Sequence, residues 1–276
     1  MRAGLVQLSS SDDPGRNLPI TRAFVREAAE QGASFVLTPE VTNCVSSSRD
    51  RQRDVLRHQE DDPTLAGLRE EAAALGVWLL IGSLGIRTHE ADGRFANRSF
   101  LIAPDGVVAA RYDKVHMFDV DVSATETWRE SAAYRPGTSA VVADALGARI
   151  GMTVCYDLRF PQLFRTLAKA GAGILTVPAA FTPVTGAAHW EVLLRARAIE
   201  TGCFVLAPAQ CGTHEASEGP PRRTYGHSLA VAPWGEVLAD GGEAPGVTVV
   251  DLDLAAIGEA RRRVPALWHD RVFSAP

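Results

Sequence analysis

The sequence predicts an α/β protein built as a four-layer α-β-β-α sandwich. Three observations point there. Short apolar runs alternate with amphipathic helical stretches along nearly the whole chain. Some of these runs are joined by turns that favour antiparallel pairing, and others by helices that favour parallel pairing. No linker, low-complexity tract or internal repeat interrupts the alternation, so residues 1–276 read as a single domain.

The elements follow in order. Ala3–Leu8 reads as a strand, and Leu18–Gln31 as an amphipathic helix closed by Gly32. Phe35–Thr38 is a second strand that runs straight into Pro39 and Glu40. Arg51–Glu60 is polar, irregular or partly helical. Pro63–Leu75 is a helix ended by Gly76, and Val77–Gly82 is a buried strand. Ala96–Ala103 and Val107–Tyr112 flank Pro104-Asp105-Gly106, a hairpin composition. Lys114–Gly137 is a long connection of weak periodicity, and such a length in a compact domain suggests function. Ala140–Val142 and Ala148–Val154 resume the sheet. After Pro161 come a helix over Gln162–Ala170, a strand over Ile174–Val177, a helix over His189–Thr201 and a strand over Phe204–Ala207. Gly212–Arg223 reads as a polar loop. His227–Ala232 and Gly246–Asp251 read as a final strand pair around Pro233-Trp234-Gly235, and Leu254–Arg263 as a closing helix.

Composition sets bounds on function. A hydrophobic fraction of 46%, a charged fraction of 22% and a net charge of −5 describe an ordinary globular protein and argue against nucleic acid as a partner. No apolar run approaches the roughly 20 residues that span a bilayer, and the first residues lack a signal-peptide core. Cys44, Cys155, Cys203 and Cys211 show no metal-type pairing. Reduced thiols in a cytoplasmic protein are the expectation.

Polar residues at strand ends carry the chemistry. In GMTVCYDLRFP, the apolar run Ile150–Val154 stops at Cys155, and Pro161 suits a first helical turn. A cysteine there sits at the carboxyl edge of a sheet, where open α/β folds tend to hold their sites, and the next backbone N–H groups can serve an oxyanion. Its thiol, with an ordinary pKa of ~8.5, needs a base or a positive neighbour. Glu40 closes VLTPE and Lys114 closes RYDK, while Glu130 lies in the long connection. A desolvated carboxylate can take the thiol proton, and an ammonium can stabilise a developing oxyanion. Taken singly, Glu40 reads as a surface or capping acid, Lys114 as a solvated cation, and Glu130 as a partner of Arg129 or Arg135. Asp119, Asp121 and Glu126 lack defined ligand spacing. His116, His189 and His227 offer a weaker thiol partner than the glutamate–lysine set.

TPEVTN around Glu40, RYDKVHMFD around Lys114, RESAAYRPG around Glu130 and GMTVCYDLRFP around Cys155 resemble, in this order, the nitrilase superfamily of carbon–nitrogen hydrolases. The similarity runs from Ala3 to about Pro265. It implies an αββα sandwich in which Cys155 is the nucleophile and Glu40 the general base. Lys114 and the Tyr156 N–H would hold the oxyanion, and Glu130 would orient Lys114 and the substrate. An amide would be hydrolysed to acid and ammonia through a cysteine thioester, with no metal and no organic cofactor.

PAAFTPVTGAAHWEVLLRARAIET and PAQCGTHE resemble the branch of deaminated glutathione amidases and ω-amidases, with AQCG and its following histidine closer to the former. That resemblance implies a carboxylate-bearing substrate held by Arg159, the Phe181 backbone and Thr185. Arginine's planar fork suits a carboxylate, although Arg159 could instead pair with Asp157. The alternatives are a 2-oxo-acid ω-amidase such as one acting on α-ketoglutaramate, an N-carbamoyl-amine hydrolase, and a catalytically silent binding protein on the same fold. Trp190, Leu193, Leu194 and Arg197 share one helical face, which is either core or the surface of a homodimer or higher homo-oligomer. The remaining partner expected is a small-molecule amide.

Overall fold

A computed structural model describes residues 1–123 and 126–274. In chain order, β1 (Arg2–Gln7), α1 (Pro14–Glu30), β2 (Phe35–Leu37), α2 (Arg49–Val55), α3 (Pro63–Leu75), β3 (Trp78–Arg87), β4 (Phe95–Ile102) and β5 (Val108–Asp113) form the first half. The connection that follows holds β6 (Asp119–Ser123), β7 (Glu126–Arg129) and β8 (Tyr134–Arg135). Then come β9 (Val141–Ala145), β10 (Ala148–Met152), α4 (Pro161–Lys169), β11 (Ile174–Thr176), α5 (Pro183–Thr201) and β12 (Phe204–Ala207). The chain continues with β13 (Cys211–Thr213), β14 (Arg223–Tyr225), β15 (Leu229–Val231), β16 (Val237–Asp240), β17 (Gly246–Asp251) and α6 (Ala255–Arg263).

Two mixed sheets result. One has the order β17-β1-β2-β3-β4-β5, with β8 beside β4; the other has the order β16-β15-β12-β11-β10-β9. In the first sheet β1, β2 and β3 run parallel, as the helices between them require. Side chains alternate along each strand. Leu5, Leu37 and Leu80 enter the larger core, which they share with Ile150, Met152, Ile174 and Leu175 of the second sheet. Their neighbours Val6, Val36, Leu79 and Ile81 point the other way, into a core with Val25, Ala28 and Leu68 of α1 and α3. Helices α4 and α5 cover the outer face of the second sheet, with Phe164, Leu167, Trp190 and Leu194 buried beneath them. The four layers expected from the sequence are therefore present. Both faces of the central strands are covered, and this accounts for their continuous apolar runs.

Some local expectations needed correction. The last two strands do not pair with each other. The Pro233–Gly235 turn joins β15 to β16, whereas β17 crosses to the other sheet and lies antiparallel to β1, with Arg2 opposite Asp251. The polar stretch 212–223 is bounded by a small hairpin, β13 with β14. The connection after Lys114 contains the ribbon β6–β7. Helix α5 begins at Pro183, six residues before His189, capped by the Thr182 hydroxyl, which accepts from Thr185 N–H.

Candidate active site

Glu40 lies just past β2, Lys114 directly after β5, and Cys155 shortly after β10. All three side chains meet in one cavity of about 410 Å³, which Glu130 and Asn97 also line.

The backbone is forced into place at two of these points. Cys155 has φ +51° and Val41, next to Glu40, has φ +46°. A positive φ is rare for any residue with a Cβ and an outlier for a β-branched one, and strain of this kind gathers at functional sites. At Val41 the turn is pinned by the Ser83 hydroxyl, which accepts from Val41 N–H at 2.8 Å. Here β3 passes so close that a Cβ at Gly82 would lie 2.0 Å from the Thr38 carbonyl oxygen. At Cys155 the turn is held by the buried Asp157 carboxylate. It accepts from Val154 N–H at 2.9 Å, His116 N–H at 3.0 Å and the Tyr112 hydroxyl at 2.7 Å. Asp157 thus ties the cysteine turn of the second sheet to β5 of the first.

Lys114 is buried between two carboxylates. Its Nζ donates to Glu40 Oε1 at 2.9 Å and to Glu130 Oε1 and Oε2 at 2.9 and 2.8 Å. Asn97 donates to the same Glu40 oxygen at 2.9 Å and to Glu130 Oε1 at 3.2 Å. The other Glu40 oxygen accepts from Ala180 N–H at 2.9 Å. Glu130 also accepts from Phe118 N–H at 2.7 Å.

These contacts fix the protonation pattern. Burial alone would raise the Glu40 carboxyl, but the Lys114 charge and hydrogen bonds from Cys155, Lys114 and Asn97 hold it below the usual carboxylate range. Burial would lower Lys114, and Glu130 and Glu40 outweigh it, so the ammonium is kept well above its ordinary pKa. Burial and then the Glu40 charge push the Cys155 thiol well up, with Lys114 opposing. Near neutral pH the site therefore holds a thiol, a carboxylate and an ammonium. Tyr156 N–H, next to the thiol, has no acceptor among the described residues.

The remaining expected residues are placed as follows. Phe181 and Thr185 line the cavity, with the Phe181 carbonyl accepting from Tyr225 N–H. Arg159 stands beside it: its guanidinium lies over the Tyr156 and Phe181 rings and 3.2 Å from His189 Nδ1. It makes no ion pair with Asp157. Glu130 pairs with neither neighbouring arginine; Arg129 is bound by Asp121, and Arg135 by Glu90 and Asp92. His116 lies 2.7 Å from Asp157 and His227 3.0 Å from Asp240, so both are engaged away from the thiol. Cys44 borders the cavity and Cys211 does not. Trp190, Leu194 and Arg197 are buried in the core.

Asp119 accepts from Ser131 N–H, and the Glu126 side chain lies outside the described residues. A different group, His58, Glu60 and His89, brings three possible ligand atoms within 4.8 Å of one another, but none of these residues lines the cavity. Sequence reasoning missed Asn97 and the clamp role of Asp157. The available signal was a lone amide within the apolar run FANRSFLI.

Comparisons with known proteins show the family. Residues 2–262 match the family model described as "Carbon-nitrogen hydrolase". The deaminated glutathione amidase of Yersinia enterocolitica is 40% identical over 272 residues, covering 98% of this chain and 93% of that one. The crystal structure of the C. elegans NitFhit protein superposes with a TM-score of 0.90 at 34% identity, covering 98% of this chain and 65% of that one. A Nesterenkonia amidase superposes with a TM-score of 0.78 at 28% identity, covering 97% and 99%; it is a glutamate-to-glutamine mutant whose active-site cysteine has added acrylamide. Among the described residues, no helix is long and apolar enough to cross a membrane.

Proposed function

The chain belongs to the carbon–nitrogen hydrolase family, and we propose that within it the protein cleaves deaminated glutathione. The observation that carries this reading is the buried thiol, carboxylate and ammonium sharing one cavity, in a chain 40% identical to a deaminated glutathione amidase.

In the proposed course, Cys155 Sγ attacks the amide carbonyl as its proton passes to Glu40. The carbonyl oxygen becomes an oxyanion that Lys114 and the Tyr156 N–H stabilise. Collapse breaks the C–N bond, Glu40 returns the proton to the departing nitrogen, and a thioester remains. Water then loses a proton to Glu40, attacks the thioester carbonyl, and releases the acid as the thiol is restored. Glu130 and Asn97 keep Lys114 and Glu40 in register for both halves. In deaminated glutathione the scissile nitrogen carries the cysteinylglycine part, so the leaving group is an amine. Ammonia, the product expected from the sequence, is released only from an unsubstituted carboxamide.

Arg159, the Phe181 backbone and Thr185 are assigned to the carboxylate of the 2-oxo-acid half. The support is that Arg159 has no carboxylate partner among the described residues and its guanidinium sits over two cavity-lining rings. We assign the protein to the cytoplasm as a homo-oligomer. Four free thiols fit the first assignment, and exposed Val192 and Ile199 on α5 fit the second.

The deciding experiment measures amine release from deaminated glutathione against ammonia release from α-ketoglutaramate, with Cys155→Ala as blank. Preference for the second substrate turns the assignment to ω-amidase. Turnover by Cys155→Ala rejects the mechanism.

A further inference from the structure

The cavity is not electrically uniform. At its inner end, Glu40 and Glu130 are engaged by Lys114 and Asn97. Toward Ser46, Ser47, Trp128 and Pro220 the lining instead carries Arg49 and Arg222. Neither has a carboxylate within salt-bridge distance among the described residues, although most arginines around them are paired. Arg129 is held by Asp121 and Arg51 lies near Asp12, while Arg16 is held by Glu215. The acids of the adjoining loop are also engaged: Glu218 accepts from the Ser48 hydroxyl, and Asp12 accepts from Ser217.

Arg222 is the more defined of the two. It leads into β14, and its guanidinium carbon lies 4.9 Å from the centroid of the Trp128 ring. Its Nε is buried and has no hydrogen-bond partner among the described residues. A buried donor left unmade is costly, and native proteins tolerate few of them. A guanidinium set over an indole face, with donors that no described residue accepts from, is a fork positioned for a planar anion.

Building on the amidase reading above, we infer that Arg222, stacked on Trp128 and supported by Arg49, binds the terminal carboxylate of the leaving amine. The enzyme then selects amides that carry a carboxylate at each end. Arg159 lies over the Tyr156 and Phe181 rings and Arg222 over the Trp128 ring, so the two carboxylates are read by different arginines set against different rings. An unsubstituted amide such as α-ketoglutaramate engages only the first. The second subsite is specific to substrates whose amide nitrogen bears a peptide-like tail.

The test uses Cys155→Ala protein, which holds substrate without turning it over. Calorimetry gives Kd for S-methylated deaminated glutathione and for the same compound with its glycine carboxylate converted to a carboxamide. The acid should bind at least about tenfold more tightly, as expected for one charge-assisted pair. Adding Arg222→Gln should collapse that ratio to within about twofold, and Arg222→Lys should leave it intermediate, because the charge stays and the fork is lost. Equal binding of acid and carboxamide overturns the subsite and leaves the substrate assignment standing, as does a ratio that survives Arg222→Gln. Binding of neither compound overturns the substrate assignment and, with it, the ligand given to Arg222.

Discussion

Lys114 Nζ stands 2.9 Å from Glu40 Oε1, and both side chains are withdrawn from water. With Glu130 on its other side, the ammonium neutralises part of a doubly negative cluster. Lys114→Met leaves two facing carboxylates without their cation. It should cost about 3–5 kcal/mol in urea unfolding, the usual loss when one member of a buried ion pair is removed. Adding Glu130→Gln should recover part of that stability and none of the activity. A fully stable Lys114→Met protein would contradict the buried pairing.

Glu40 raises the Cys155 thiol pKa through both its charge and its hydrogen bond. Glu40→Gln removes both, so the thiol pKa should fall while the proton acceptor disappears. Amide turnover should drop about 10²- to 10⁴-fold, the range for a lost general base, while alkylation of Cys155 by acrylamide persists. Parallel loss of alkylation and turnover would argue that Glu40 mainly holds the fold.

His214 is buried, with Nδ1 2.8 Å from the Ser10 carbonyl and Nε2 2.8 Å from the Thr224 hydroxyl. Burial lowers its pKa to about 4, against an ordinary 6.5. Between these values the unfolded chain binds the proton and the folded one does not, so stability falls as the pH falls. From pH 7 to pH 4.5 this site should remove about 2 kcal/mol of unfolding free energy. His214→Gln should flatten the dependence by that amount, whatever its effect at neutral pH. An unchanged slope would rule out His214 as its source.

Among the described residues, Arg159 has His189 and two aromatic faces as partners and no carboxylate. Arg159→Lys keeps the charge and loses the planar fork. Its KM for carboxylate-bearing amides should rise about tenfold, with a much smaller change for neutral amides of equal length. An equal rise for both would remove Arg159 from carboxylate recognition.

Much of the framework was legible because it rests on local signals. The apolar run ending at Cys155 and the proline at Pro161 marked a strand-to-helix turn, and the structure contains it. What local signals cannot carry is partner choice. Gly246–Asp251 alternates like any strand, and nothing in it says that its partner is β1 and not β15. The ribbon β6–β7 was hidden because its exposed faces carry charge on both strands and show no apolar period. Asn97 and Asp157 escaped for a related reason: a single polar residue in a buried strand or turn gives no period, and its role appears only when Glu40, Glu130 and Tyr112 arrive from distant segments.

The pairing of β1 with β17 also has a cost in time. Arg2 must wait for Asp251, so β1 keeps an open edge until the chain has been made as far as β17. At typical synthesis rates of ~5–20 residues per second, that wait is roughly 10–50 s. During it β1 is a ready template for strands of other nascent chains. The ordering of contacts predicts a slow-folding protein.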